Sequence, residues 1–196
     1  VMSDGLRWSH NANYIFWAGN EYRKVEILST DVASTGIERI RWDGADFHAY
    51  PFIALPRLNY LYDEDANGAF LIRNSNNYHI NTESDYMQVH FQLSCPQPVK
   101  GDVYVNGDWT YDRFLPQYKM AYDEESKSYQ TVIPLKLGYY SYQYIVLNEN
   151  GRTEIMPTEG SYYQTENTYQ ALVYYREQGG RTDKLVGYTS FKFKAR

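Results

Sequence analysis

A run of carboxylate and amide residues in the N-terminal half of the chain could bind a hard cation. Asp63, Asp65 and Asn67 occupy alternate positions and Gly68 follows, as in the first half of an EF-hand calcium loop. The twelfth position of such a loop holds a bidentate glutamate, whereas this chain has Asn74 there and shows no flanking helical pattern. We therefore interpret the run as a hairpin turn, keep calcium as the weaker alternative, and predict no cofactor.

Six aromatic or amide side chains are the best candidates for a binding site. They fall on two predicted loops: Trp109, Tyr111, Phe114, Tyr162, Tyr163 and Asn167. Rigid amphipathic rings of this kind can stack on sugars or anchor a protein interface. Trp109 has a second interpretation, because a tryptophan at the end of a sandwich often fills the core.

The residues that usually perform catalysis are scattered. His10, His48, His79 and His90 lie singly in different segments, without the paired spacing of a metal site. Cys95 ends a predicted strand and is interpreted as a small buried residue. The sequence contains no G-x-S-x-G, no glycine-rich phosphate loop and no H-E-x-x-H, so we predict a protein without enzymatic activity.

Charge and composition restrict the classes of partner. The net charge is -5 and no basic stretch is long enough to neutralise several phosphates, so nucleic acid is not expected. No apolar run approaches the roughly 20 residues that a spanning helix needs. The chain has 22 tyrosines among its 196 residues, a residue type that favours half-wet β-sheet surfaces.

The dominant period of the hydrophobic pattern is two, which predicts strands. Between Asp85 and Cys95 the odd positions are apolar and the even ones polar. Turn dipeptides such as Asn67-Gly68 and Asn150-Gly151 separate such segments. We predict an all-β sandwich with almost no helix, and the predicted strands cover residues 21–28, 37–42, 58–62, 69–73, 85–95, 102–105, 129–135, 140–146, 152–156, 169–175 and 185–193.

A polar segment rich in asparagine and serine, residues 74–84, is a candidate domain boundary. It divides a β-rich segment, residues 1–80, from a second block, residues 85–196. The first segment is short for an independent sandwich, so we expect it to be the C-terminal part of a middle β-sandwich domain.

Residues 102–148 resemble the early-Set Ig-like modules of the glycogen-binding type. The similarity lies in a V-N-G-D-W turn ending at Trp109 and a G-Y-Y-S-Y-Q-Y strand starting at Gly138. In those modules, tryptophans from comparable loops stack on sugar rings. Where a second tryptophan would be expected, this chain has Asn150-Gly151-Arg152-Thr153.

Four further segments, in this order along the chain, resemble the type IX secretion system plug protein family, formerly a domain of unknown function. They are residues 14–23 (YIFWAGNEYR), 60–70 (YLYDEDANGAF), 85–91 (DYMQVHF) and 162–169 (YYQTENTY). The resemblance covers the C-terminal half of a typical member. It implies tandem Ig-like domains in a periplasmic protein that caps the inner side of a large outer-membrane β-barrel translocon by protein contacts. The alternative expectation is a carbohydrate-binding module that binds a glycan through its loop aromatics.

Overall fold

The computed structural model describes residues 15–75 and 79–193, and nearly all regular structure in these ranges is β. The strands are β1 (Arg23–Ile27), β2 (Ile37–Trp42), β3 (Phe47–Pro51), β4 (Phe70–Ile72), β5 (Tyr86–Ser94), β6 (Asp102–Asn106), β7 (Ala121–Asp123), β8 (Ser128–Lys136), β9 (Gly138–Leu147), β10 (Thr153–Ile155), β11 (Asn167–Tyr175) and β12 (Lys184–Phe193). A four-residue helix, α1 (Ile80–Glu83), precedes β5. The predicted all-β sandwich is confirmed.

The first sheet is built around β9, which is paired along its whole length. Its first half pairs with β1 and β4, and its second half pairs with β6 and β10, all antiparallel. Gly138 begins β9, where a Cβ atom would lie 2.5 Å from the carbonyl oxygen of Leu71. A side chain at this position would therefore push β4 away from β9.

The second sheet has the strand order β2-β3-β5-β8-β7. β5 and β8 form the longest ladder, from Tyr86↔Lys136 to Ser94↔Ser128. β3 pairs with β5 in parallel over only His48↔Gln88 and Ala49↔Val89, whereas the other pairs of this sheet are antiparallel. The chain leaves this sheet after β3, contributes β4 to the first sheet, and returns as β5.

The core lies between the two sheets and contains the alternating residues of β5 that the sequence pattern predicts. Met87, Val89, Phe91 and Leu93 are all buried, and their even-numbered neighbours are exposed or half-buried. Phe91 contacts Tyr142 of β9 edge-on, with ring centroids 5.1 Å apart. Burial of a large apolar side chain contributes about 1.5–3 kcal/mol, so this row of β5 residues holds the two sheets together.

The sheets do not follow the expected division between residues 1–80 and 85–196. Strands from both sides of residues 74–84 lie in each sheet, because β1 and β4 complete the first sheet and β2 and β3 complete the second. The N-terminal strands cover the edges of β9 and β5 and thereby satisfy backbone groups that would otherwise be unpaired. They therefore belong to the same sandwich as the later strands and do not form a domain of their own.

One local prediction was wrong, and two short strands were not predicted. Residues 58–62 are not a strand: Leu58 and Leu61 face solvent, and the Tyr60 hydroxyl instead donates to the Glu21 carboxylate at 2.7 Å. β3 and β7 were not predicted, because each is short and lacks a long alternating pattern. Pairing with a long neighbour, β5 or β8, stabilises each of them.

Val89 and Val132 allow a matched test of the sandwich. Val89 is fully buried, whereas Val132 on the neighbouring strand is 45% exposed. We expect Val89→Ala to lower the free energy of unfolding by about 2 kcal/mol, because it removes buried methyl groups and leaves a cavity. Val132→Ala should cost less than about 1 kcal/mol. Denaturant unfolding of both variants measures the difference, and equal losses would contradict the core assignment.

Candidate interaction surface

The C-terminal hairpin, β11–β12, is the most unusual surface of the molecule. Among the described strands, β11 and β12 pair only with each other, with a bulge between Val173 and Tyr174. Nearly every residue of both strands is exposed. The exposed large apolar side chains of the hairpin are Leu172, Val173, Tyr174, Tyr175, Leu185, Val186, Tyr188, Phe191 and Phe193.

A hairpin of this composition is suited to contact with another molecule. An isolated two-stranded ribbon is at best marginally stable in water, and soluble proteins rarely leave large contiguous apolar patches uncovered. The hairpin also has two edges with backbone groups that no described strand pairs. A partner could therefore bind the hairpin through its apolar side chains or by adding a strand to one of its edges.

Hydrogen bonds and aromatic contacts attach the base of the hairpin to the N-terminal segment. The Asn167 side-chain amide donates to the Ala18 carbonyl at 2.9 Å, and the Thr165 hydroxyl donates to the Gly19 carbonyl at 2.8 Å. Phe16 lies tilted against Tyr169, with centroids 6.2 Å apart, and Tyr169 stacks on Phe191 at 6.3 Å. These contacts fix where the hairpin leaves the sandwich.

A buried ion pair lies beneath this attachment. The Glu159 carboxylate is bound by Arg23 at 2.8 Å, and Arg57 lies 3.7 Å from its other oxygen. Burial alone would lower the pKa of Arg23, but the charge of Glu159 and its hydrogen bond raise that pKa above its ordinary value. The Asn20 amide donates to the Glu159 carbonyl at 2.8 Å, so this glutamate fixes the loop before β11 to β1 and to the residues preceding it.

Trp17 extends the apolar surface next to the hairpin base. Its side chain is 79% exposed and lines an open cavity of about 600 Å³ together with Ile155, Met156 and Pro157. Tryptophan is enriched in the energetically dominant positions of protein interfaces. The residue lies two positions after the exposed Ile15 and directly after Phe16.

The structure separates the six predicted binding residues. Trp109 is 7% exposed, its indole N–H donates to the Ser141 carbonyl at 3.3 Å, and its ring contacts Tyr118 and Tyr140 edge-on. The interpretation of Trp109 as a core residue is confirmed, and its ring is not available to stack on a ligand. Phe114 is half-buried against Tyr104.

The remaining predicted residues differ in role. Tyr111 and Tyr163 are exposed, but they lie on different loops. Tyr162 is half-buried and its hydroxyl donates to the Arg57 carbonyl at 2.7 Å. Tyr162 and Asn167 thus belong to the attachment of the hairpin, which sequence patterns did not reveal because their partners lie far away in the chain.

The calcium candidate forms a turn stabilised by its own carboxylates. Asp63 binds the Lys24 ammonium at 2.5 Å, and Asp65 accepts hydrogen bonds from the backbone N–H groups of Tyr22 and Asn67. In residues 15–75 and 79–193, no group of three or more histidine, cysteine, aspartate or glutamate residues is arranged to hold a metal ion. Both aspartates therefore have structural partners.

Two of the four histidines lie together, which corrects the interpretation of all four as scattered. His48 Nδ1 lies 2.7 Å from His90 Nε2, and His48 Nε2 lies 2.9 Å from the Asp43 carboxylate. Burial, His48 and Arg39 lower the pKa of His90. His10 lies outside the described residues. The pair could not be found from sequence, because the parallel register of β3 and β5 is not visible there.

Cys95 is buried, as predicted, and its thiol donates to the Gln97 carbonyl at 2.9 Å. Burial raises the pKa of this thiol, which opposes formation of the reactive thiolate. No helix among the described residues is long and apolar enough to cross a membrane.

Comparison with known proteins identifies a structural relative. No family model and no curated protein matches the chain. A crystal structure of a hypothetical protein from Parabacteroides merdae ATCC 43184 is similar, with a TM-score of 0.87 and 38% sequence identity. The match covers 93% of this chain and 47% of that one, so the chain spans about half the length of this relative.

Arg23 tests the buried ion pair under the hairpin. Arg23→Leu leaves the Glu159 carboxylate buried without its main partner, and we expect a loss of about 3 kcal/mol in the free energy of unfolding. Lys24→Leu is the matched control, because its ion pair with Asp63 is well exposed and should contribute less than about 1 kcal/mol. Chemical denaturation measures both, and similar losses would show that Glu159 does not depend on Arg23.

His90 makes stability depend on pH in a defined direction. Its pKa is lower in the fold than the ordinary 6.5, so the unfolded chain binds more protons between the two pKa values. This contribution is present above pH 6.5 and is lost as pH falls through the folded pKa. We expect stability to decrease between about pH 7.5 and about pH 5.5, and His90→Gln to reduce the decrease. Urea titrations measure it, with His79→Gln as control, and an unchanged pH slope in His90→Gln would contradict the assignment.

Proposed function

We propose that this chain is a non-enzymatic part of a type IX secretion plug, and that the β11–β12 hairpin contacts the periplasmic side of the outer-membrane β-barrel translocon. The observation that carries the proposal is the exposed hairpin, with nine large apolar side chains and two unpaired edges among the described strands. An interaction module needs such a surface, whereas catalysis would need a converged set of acids, bases or nucleophiles.

The segments that carry the family resemblance support this assignment by their location. Residues 14–23, 60–70 and 162–169 meet at the base of the hairpin, apart from Tyr14, which lies outside the described residues. Asp65 accepts from the Tyr22 N–H, Tyr60 donates to Glu21, and Asn167 donates to Ala18. These three segments therefore position the base of the hairpin.

The mechanism requires only a difference in affinity between two states of the translocon. A plug that binds the idle barrel more tightly than the barrel in transit leaves when cargo enters. Reversible contact is favoured by a moderate area with a polar rim. The hairpin has such a rim, because Lys184 pairs with Glu177 and Arg176 pairs with Asp183 near its tip.

Glycan binding is the alternative function and has less support. Its main residue, Trp109, is buried, so stacking on a sugar ring would depend on Tyr111 and Tyr163. These two side chains lie on separate loops and no ring contact connects them. The exposed apolar hairpin has the composition of a protein contact.

Leu172→Asp and Tyr188→Asp test the hairpin as the contact. Leu172 and Tyr188 pair across the hairpin and are both exposed, so a charge at either position should disrupt docking without unfolding the sandwich. The tagged chain is incubated with detergent-solubilised outer membrane, and bound proteins are identified by mass spectrometry. We expect one very large β-barrel protein with the wild-type chain and at least tenfold less of it with either variant.

Leu58→Asp is the matched control, because Leu58 is exposed on a loop outside the hairpin. It should bind the barrel as the wild type does. Equal recovery by wild type and hairpin variants would remove the hairpin from the contact. If no barrel protein is recovered, or if the wild-type chain forms dimers that Leu172→Asp dissociates, the proposed function is overturned.

A further inference from the structure

The outer face of the second sheet carries a pair of histidines that have no part in the proposed contact with the translocon. Ala49 and Val89 pair across β3 and β5 and are both fully buried. Their neighbours His48 and His90 therefore point to the opposite face of the sheet, away from the core. On that face His48 Nδ1 and His90 Nε2 lie 2.7 Å apart.

Asp43 determines which nitrogen of His48 carries hydrogen. The backbone N–H groups of Ala45 and Asp46 both donate to one oxygen of Asp43 at 2.8 Å, which fixes the carboxylate in the β2–β3 turn. An aspartate at neutral pH is ionised and can only accept hydrogen bonds. The other oxygen accepts from His48 Nε2 at 2.9 Å. In neutral His48 the lone pair therefore lies on Nδ1, directed at His90.

Tyr50 packs on the His90 ring, and Arg39 packs on Tyr50. The Tyr50 ring stacks on His90, with centroids 4.3 Å apart and planes at 17°. The Arg39 guanidinium lies over the Tyr50 ring, 4.2 Å from its centroid, and forms an ion pair with Glu38 at 2.7 Å. The positive charge beside the pair is thus partly neutralised by Glu38.

Two ring nitrogens at this separation repel each other unless a positive centre lies between them. A hydrogen atom on one of them gives an ordinary hydrogen bond. A metal ion can replace that hydrogen, since a neutral imidazole nitrogen is a common ligand of Zn²⁺, Cu²⁺ and Ni²⁺. We propose that His48 Nδ1 and His90 Nε2 form a binding site for a divalent transition metal ion, with Asp43 fixing the His48 ring from behind.

The surroundings fit such an ion. A carboxylate that accepts from the far nitrogen of a ligating histidine is the usual outer partner in protein zinc sites. Zinc–nitrogen bonds are roughly 2.0–2.1 Å long, and two of them at the tetrahedral angle place their nitrogens about 3.3 Å apart. The two rings would therefore rotate apart from their separation of 2.7 Å to hold the ion. His48 and His90 are both only half-buried, so water can reach the ion and complete its coordination. Hard ions such as Ca²⁺ require oxygen ligands and are not expected here.

Metal binding would strengthen the shortest ladder of the second sheet. β3 and β5 share only two register pairs, and the ion would join them by a third connection. A ligand that binds only the folded chain raises its stability in proportion to the logarithm of ligand concentration. Thermal stability should therefore rise with added Zn²⁺.

Calorimetric titration of the untagged chain with Zn²⁺ alone, near pH 7.5, tests the site. We expect one ion per chain, at least tenfold weaker binding in His48→Gln and in His90→Gln, and about 10–100-fold weaker binding in Asp43→Asn. His79→Gln should bind as the wild type does, because His79 is exposed and lies on the turn before α1. Imidazole ¹⁵N spectra should show Zn²⁺ shifting His48 Nδ1 and His90 Nε2.

Two outcomes would overturn the site. The first is an absence of Zn²⁺ binding by the wild-type chain, which would leave the pair as a hydrogen bond only. The second is unchanged stoichiometry and affinity in the double variant His48→Gln/His90→Gln, which would place the ion elsewhere. Circular dichroism establishes that each variant is folded, so a loss of binding is not a loss of structure.

Discussion

The structure depends on the complete pairing of β9. Each residue of this strand pairs with at least one other strand, and every other strand of the first sheet is paired to it. Its residues Tyr140, Tyr142 and Tyr144 are buried among the core side chains, and burial raises the pKa of all three. Because the strands that pair with β9 come from both sides of residues 74–84, the sandwich cannot be divided there.

The buried residues of the sandwich could be predicted from the sequence, whereas the order of the strands in its sheets could not. The alternation of Met87, Val89, Phe91 and Leu93 specifies one buried face, and the structure buries these residues. Nothing in this pattern says which strand lies beside β5. The parallel neighbour β3, and with it the contact of His48 with His90, follows from a register that only the folded chain defines.

Whether an individual tyrosine is buried or exposed could not be predicted from the sequence either. A tyrosine suits a wet surface and a core equally well, since its hydroxyl can find a partner in either place. Tyr144 is fully buried beside the Arg23 guanidinium, whereas Tyr174 and Tyr188 on the hairpin are exposed. Sequence patterns therefore do not indicate the hairpin surface, and they favour the buried Trp109 as a binding residue instead. Exposure depends on whether a strand has neighbours in a sheet, which local composition does not encode.

The long separation between paired strands also determines how the chain can be made. Arg23 of β1 pairs with Tyr142 of β9, and every other strand of the first sheet pairs with β9, so this sheet cannot begin to form until β9 has been synthesised. Contacts so distant in sequence slow folding and leave apolar strands uncovered in the meantime. Because β1 is synthesised first and pairs with β9, it remains unpaired until β9 has been made.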